Sequence, residues 1–285
     1  MRLGAHTSVA GGVDRAFARA QGVGCETMQI FTKSPNQWQS RPLGDDEIQR
    51  FRSLLAEKRI WPVVAHDAYL INLGSPDEEM WRRSVEALAD ELNRCQALGI
   101  AQLVMHPGAH MGAGEAAGLR RIADGLNEAL AKSADGSVQV LLEVTAGQGS
   151  ALGYRFEHLA QLIAWCDDAA RLGVCFDTCH ALAAGYELRT AEGYAATFLA
   201  FHETLGLDRL QVFHFNDCKR ALGSRVDRHE HIGRGELGLE PFRRLLNDPR
   251  FRDRPGILET PKGPEMDEDR ENLATLRSLV ANKQD

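Results

Sequence analysis

Six residues able to hold a metal ion recur along this chain at a nearly constant interval. His66, His106, Glu143, Asp177, His214 and Glu259 are separated by 40, 37, 34, 37 and 45 residues. Dividing the 285 residues by eight gives about 36, the length of one strand–helix unit in a (β/α)8 barrel. Each stands at or near the end of a short apolar run, so residues distant in sequence would meet at the C-terminal mouth of the strands, where barrels do their chemistry. A lone histidine at a strand end is ordinarily a hydrogen-bonded structural residue, and a lone carboxylate a helix cap or a solvated charge. Six at matching positions are another matter. Buried together without metal, they would need mutual hydrogen bonds and altered protonation. Divalent metal is the simpler solution, and imidazole mixed with carboxylate suits zinc, manganese or iron better than calcium or magnesium.

Two local groups enlarge the set. Asp177-Thr178-Cys179-His180 places another imidazole just beyond the sixth strand, and Asp227-Arg228-His229 follows the seventh. Standing alone, each would read as a surface salt cluster. Together the nine candidates are five histidines, two aspartates and two glutamates. One zinc takes about four ligands, so nine suit two or three ions, with one bridging carboxylate and open positions. The four carboxylates carry −4 and three divalent ions would carry +6, leaving a site near +2 that attracts phosphate. Clustered metals fit in-line displacement at phosphorus.

The elements that must position these residues can be read coarsely. Runs rich in β-branched residues predict strands over Leu3–His6, Thr27–Phe31, Val63–His66, Gln102–His106, Val138–Val144, Val174–Asp177, Gln211–Phe215 and Gly256–Glu259. Helical spacing is clearest over Trp81–Leu98, and similar over Glu47–Lys58, Leu119–Lys132 and Phe156–Leu172. Glycines follow Leu98 and Leu172 as stop signals. Eight strands alternating with helices predict an α/β (β/α)8 TIM barrel with the metal site at its mouth. An open doubly wound sheet is the alternative, but Ala10-Gly11-Gly12 is not a GxGxxG phosphate loop. No linker divides the chain, and a single domain over 1–285 is expected.

Composition bounds the rest. Hydrophobic residues make up 44% and charged residues 26%, ordinary for a soluble globular protein and unlike a disordered or collagenous chain. A net charge of −7 argues against coating nucleic acid by bulk charge, though not against bringing positive charge as bound metal. No apolar run is long enough to span a membrane, and the N-terminal MRLGAHTSVAGG lacks the apolar core of a signal peptide. The six cysteines form no CxxC pair and read as reduced core thiols, so a cytoplasmic protein with no membrane partner is expected.

At these residues the sequence closely resembles the endonuclease IV family of apurinic/apyrimidinic (AP) endonucleases. The likeness runs from Gly4-Ala5-His6 to Leu258-Glu259-Thr260. It is carried by FTKSPNQW (31–38), HDAYLINLG (66–74), HPGAH (106–110), LEVTAGQGS (142–150), FDTCHALAAGY (176–186), HFNDCK (214–219), GSRVDRHEHIGRGELG (223–238) and ILET (257–260). The resemblance implies that His66, His106 and Glu143 bind one zinc. It implies that Glu143 bridges to a second zinc on Asp177, His214 and Glu259, and that His180, Asp227 and His229 bind a third. It implies a (β/α)8 barrel that hydrolyses the phosphodiester 5′ to an abasic site in duplex DNA, leaving a 3′-hydroxyl and a 5′-deoxyribose phosphate, and that cleans blocked 3′ ends. A monomer is implied, and a compact chain without targeting segments is expected to be bacterial. Glu143 is the expected catalytic residue, orienting the attacking water and accepting its proton.

DNA contacts are expected from the loops after the strands. Tyr69 and Leu70 match residues that probe the distorted helix in the family, and Gln37 and Trp38 lie in a second recognition loop. Members of the family often carry an arginine two residues before that tryptophan. Here the residue is Asn36, which cannot supply a guanidinium, so weaker binding or damage discrimination is expected. Lys33 and Arg228 are candidate phosphate contacts. His6 ends the first strand and is expected to support the metal site or to pack in the core; His110 and His231 adjoin the ligand motifs and are expected to orient them or touch phosphate, whereas His158 and His202 are expected at the surface or partly packed. The tail over 281–285 is expected to fray. A sugar isomerase or epimerase on the related xylose isomerase-like barrel also gathers Glu, Asp, His and Glu around metal, but it does not explain the third-ion set. A non-enzymatic reader of damaged DNA with a structural zinc would close the site with four protein ligands.

Overall fold

A computed structural model describes residues 1–133 and 136–281. Eight parallel strands close into a barrel: β1 (Leu3–His6), β2 (Thr27–Phe31), β3 (Val63–His66), β4 (Gln102–Met105), β5 (Gln139–Glu143), β6 (Leu172–Asp177), β7 (Leu210–His214) and β8 (Gly256–Leu258). Neighbours in sequence are neighbours in the sheet, and β8 closes on β1 with Leu3 opposite Gly256. The helices between them are α1 (Arg15–Gly22), α2 (Asp45–Ala56), α3 (Glu78–Leu98), α4 (Glu115–Lys132), α5 (Phe156–Trp165), α6 (Thr178–Ala184), α7 (Ala191–Leu205), α8 (Glu240–Asn247) and α9 (Asp267–Ser278). The frayed tail expected over 281–285 lies, beyond Ala281, outside the described residues. No described helix is long and apolar enough to cross a membrane.

Side-chain alternation along the strands builds the site. Val64, Val104, Leu141, Cys175, Val212 and Ile257 form one fully buried cluster, separate from the main core between strands and helices. Two residues further along stand His66, Glu143, Asp177 and His214 on their strands, and His106 and Glu259 one residue past the ends of theirs. A spacing of two keeps a side chain on the same face of a strand, so an apolar floor inside the barrel carries a layer of ligand-type residues directly above it. On the other two strands, the same step leads from Gly4 to His6 and from Thr27 to Gln29. Gly4 is required by close approach: a Cβ there would lie 1.8 Å from the carbonyl oxygen of Thr27.

The outer helices follow from caps and apolar stripes. In α3 the Asp77 side chain accepts from the Met80 amide at 2.7 Å, and Gly99 ends the helix in the left-handed conformation. Val85, Leu88, Leu92 and Cys95 lie on its buried face. One predicted helix is shorter than its apolar periodicity suggests. The segment Phe156–Leu172 is helical only to Trp165, and Leu172 opens β6. The stop is made by Asn127 of α4, which donates to the carbonyl of Trp165 at 3.1 Å and accepts from the amide of Asp167 at 2.9 Å. His158, expected near the surface, is buried on α5; its Nδ1 accepts from the Gly153 amide at 3.3 Å.

Two short antiparallel pairs also go beyond the strand pattern. Gly108–Ala109 pairs with Ala151–Leu152, and Asp217–Cys218 pairs with His229–Glu230. The second brings the loop bearing Asp227 and His229 back over the mouth. Asp217 pins its return by accepting from the amides of Gly235 at 3.0 Å and Leu237 at 2.9 Å. All six cysteines are buried and free of disulfides.

Candidate metal centre

Glu143 lies at the centre of the mouth, completely buried. One carboxylate oxygen is 3.3 Å from Nε2 of His66 and 3.3 Å from Nε2 of His106. The other is 3.2 Å from Nδ1 of His214 and 3.0 Å from Nδ1 of His180. Asp177 and Glu259 adjoin His214, at 3.9 Å and 3.2 Å from its Nδ1. Above them His180 Nε2 lies 3.2 Å from Asp227, and His229 Nε2 lies 3.5 Å from the same carboxylate. The structure therefore brings all nine sequence-predicted ligand candidates together.

Hydrogen bonds on the far side of each ring decide which nitrogen faces inward. A backbone carbonyl only accepts, so the ring nitrogen against it must carry the proton. His66 donates from Nδ1 to the carbonyl of Asp67 at 2.9 Å, and His229 from Nδ1 to that of Glu259 at 3.1 Å. His180 Nδ1 faces two acceptors, the Val144 carbonyl at 3.1 Å and Glu143. In all three, Nε2 is therefore the nitrogen that faces the site. Asp177 uses one oxygen to cap α6, accepting from the His180 amide at 2.8 Å. Its other oxygen accepts from Asn216 Nδ2 at 2.7 Å.

The donor set fits divalent metal. Ligand atoms in three groups lie within 4.8 Å of one another: His66, His106 and Glu143; Glu143, Asp177, His214 and Glu259; and His180, Asp227 and His229. Two ligands on one tetrahedral zinc stand about 3.3 Å apart, close to the His66–Glu143 and His106–Glu143 separations. Electrostatics agree. Burial opposes a charge on Glu143, but His214 and His106 outweigh it and hold the carboxyl well below its usual range. Burial likewise opposes ionisation of Glu259 and Asp227. His214 overrules it at Glu259, and His180 holds Asp227 at about 2. Burial works against protonated His66, His180 and His214, yet the carboxylates around them raise all three. Such a cluster keeps its carboxylates ionised and its imidazoles avid for positive charge.

The cluster opens into a cavity of about 840 Å³, lined among others by Ser8, Phe31, Tyr69, Arg228 and Lys262. Tyr69 stands on its rim, 68% exposed, with its ring edge-on to Phe31 at 5.2 Å. Leu70 is half-buried beside it, Asn36 and Gln37 are exposed in a turn, and Arg228 is exposed. His110 accepts from the amides of Gly112 and Gly114, both at 3.2 Å, and so serves its own loop. His231 contacts Asn272 at 3.1 Å, and His202 is exposed. His6 does reach the site, with Nδ1 3.4 Å from Glu259. Two polar residues, Gln29 and Asn216, were not among the candidates although both are fully buried against the ligands. Their signals were a glutamine inside the apolar run TMQIF and an asparagine between ligand and strand in HFNDCK.

Lys33 departs from expectation. Its side chain is 1% exposed, and its ammonium lies 3.0 Å from Asp90 and 3.8 Å from Glu91 on α3. The same helix face holds the rest of the loop. Arg94 donates to the carbonyls of Thr32 at 2.6 Å and Arg41 at 3.1 Å, Thr32 donates to Glu91, and Arg83 lies over the Trp38 ring at 4.6 Å. Lys33 thus anchors this loop, with its ammonium turned to Asp90 and Glu91 although the residue also borders the cavity. Burial pushes the Glu91 carboxyl up to about 7 against the pull of Lys33. Lys33→Met would raise it further and take away the partner that the ionised carboxylate has in the wild type, a loss of about 3 kcal/mol. The melting temperature should therefore fall more at pH 8, where Glu91 is ionised, than at pH 6, where it is largely protonated. A surface contact would leave both unchanged in a thermal scan.

The fold and site together define a class. Residues 17–279 match the family described as xylose isomerase-like TIM barrel. The chain is 54% identical over 279 residues to "Probable endonuclease 4" of Chloroflexus aurantiacus, covering 98% of both chains. It is 50% identical over 281 residues to the protein of that name from Geobacter sulfurreducens, covering 99% of this chain and 95% of the relative. The crystal structure of endonuclease IV from Thermus thermophilus superposes with a TM-score of 0.88 at 41% identity, over 98% of each chain. The chain belongs to the endonuclease IV family of these barrels.

Proposed function

We propose that the protein is a metal-dependent AP endonuclease of DNA repair that hydrolyses the phosphodiester 5′ to abasic sites in duplex DNA and cleans blocked 3′ ends. The observation that carries this reading is the convergence of three ligand groups, two of them sharing Glu143, beneath an open cavity. His66, His106 and Glu143 would hold one ion, Glu143 with Asp177, His214 and Glu259 a second, and His180, Asp227 and His229 a third. Zinc suits these donors best, with manganese or iron able to replace it at some sites. When bound, such ions polarise phosphoryl oxygens, lower the pKa of water and stabilise a leaving alkoxide.

The chain's own residues supply the rest. Glu143 is the catalytic residue, an ionised carboxylate that orients water and accepts its proton. Arg228 carries a guanidinium to a phosphate at the cavity edge. Tyr69, Leu70, Asn36 and Gln37 form the rim that meets the distorted duplex, where an abasic nucleotide has little left to stack and is cheap to extrude. A sugar epimerase needs no set like His180, Asp227 and His229 outside the first layer.

Tyr69→Ala should weaken binding to an abasic duplex about tenfold, the order of one lost aromatic stacking contact. Its melting temperature should not change, because the ring is exposed. Fluorescence anisotropy and a thermal scan read the two. The reading itself is tested with a duplex holding one tetrahydrofuran abasic analogue, which has no aldehyde and resists β-elimination. A nick immediately 5′ to the analogue with an extendable 3′-hydroxyl supports it. An intact strand with metal-replete protein sinks it and turns attention to sugar substrates.

A further inference from the structure

We infer that Gln29 is a positioning residue that forces His214 to bind metal through Nδ1, while His66, His180 and His229 bind through Nε2. The inference rests on the metal reading of the site. Six of the eight strands contribute a ligand candidate to the layer above the floor, whereas β1 contributes His6 and β2 contributes Gln29. Gln29 is completely buried. Its Nε2 lies 2.6 Å from Glu259 Oε1 and 3.0 Å from His6 Nδ1, and its Oε1 lies 2.8 Å from His214 Nε2.

These contacts fix both groups. An ionised carboxylate only accepts, so the amide nitrogen of Gln29 must be the atom that faces Glu259. Its two hydrogens serve Glu259 and His6. The amide oxygen is then committed to His214, and an amide oxygen only accepts, so His214 carries its proton on Nε2. Nδ1 is left with its lone pair toward Glu143, Asp177 and Glu259, the carboxylates of the second ligand group. One side chain thereby orders two ligands of that group, His214 and Glu259. Partners of this kind typically govern metal affinity by about 10- to 100-fold.

Long-range proton–nitrogen NMR on the zinc-loaded full chain reads the tautomers directly. The expected result is protonation of His214 at Nε2, with His66, His180 and His229 protonated at Nδ1. His214 protonated at Nδ1 would overturn the inference. Zinc titration against a chromophoric chelator gives a second reading. Gln29→Leu, which fills similar volume, should weaken one zinc equivalent at least tenfold while circular dichroism shows the fold retained. Gln29→Glu keeps an acceptor for His214 Nε2 but sets an oxygen against Glu259, so it should retain the His214 ring-proton signal that Gln29→Leu loses while still weakening zinc binding. A role in packing alone predicts an unchanged His214 tautomer in both variants. Were Gln29→Leu to bind every equivalent as the wild type does, Gln29 would not position the site. A wild type that takes up no zinc would overturn the metal reading and this inference with it, an outcome distinct from the other two.

Discussion

Glu143→Gln should cut tetrahydrofuran-containing duplex about a thousandfold more slowly than wild type, or worse, while still folding. The size follows from how many contacts converge on this carboxylate. General acid–base work alone is worth about 10²- to 10⁴-fold. The glutamine is also a poor substitute as a ligand, since one of its two polar atoms is a donor. Four imidazoles surround the carboxylate, with both oxygens engaged. An amide nitrogen in either place meets a ring nitrogen or an ion that needs an acceptor. Folding should survive because the substitution conserves volume, and because the imidazoles can answer the lost negative charge by releasing protons. That response is available: the nearby carboxylates are what raise His66, His180 and His214 in the first place. The checks are single-turnover cleavage, circular dichroism and metal content of the same preparation. Wild-type rates with Gln at position 143 would remove this residue from the mechanism. Lost activity with lost metal would assign it to ligation, and lost activity with full metal to proton transfer.

The six inner-layer candidates were legible because they combine residue type with two periods. One is the repeat of about 36 residues that counts strands. The other is the alternation that sets Val64 below His66 and Leu141 below Glu143. Asp227 and His229 obey neither, since they ride on a loop held by the short pair with Asp217–Cys218. Only the motif around them gave them away. Gln29 was missed because a neutral amide carries no mark of ligation, and its meaning comes from three partners on three other strands. The inward turn of Lys33 is hidden in the sequence for a related reason. A lysine in a loop next to a recognition motif suggests phosphate, and nothing local says that its ammonium turns inward to Asp90 and Glu91. The helix Phe156–Leu172 was overextended because apolar spacing continues past the point where Asn127 takes up the backbone.

Stripping the metal should abolish cleavage and lower the melting temperature by at least about 10 °C without unfolding the chain at neutral pH. An ion that binds only the folded state adds about 4 kcal/mol when present at a thousand times its dissociation constant. In a chain of this length each kcal/mol moves the midpoint by about 2–4 °C, so even one tightly held ion accounts for the shift, and further ions enlarge it. The metal-free chain should nonetheless hold together, because the cluster neutralises itself: protonated His66, His180 and His214 stand against ionised Glu143 and Glu259. This compensation has a definite pH dependence. Histidines raised in the folded state contribute stability below their ordinary value of about 6.5, and that contribution is lost as pH climbs through the raised values. Carboxyls lowered in the folded state contribute stability above their ordinary range and lose it as acid protonates them. The metal-free protein should therefore be most stable near neutrality and weaken on both sides. Reloading runs with a single sign, because each entering ion displaces protons from the imidazoles. Zinc uptake should tighten steadily from pH 6 to pH 8, with protons released into a weakly buffered solution. Calorimetry of the stripped and reloaded protein across that range checks all three statements. A stripped protein with unchanged melting temperature and full cleavage would mean that the nine residues at the barrel mouth work without metal.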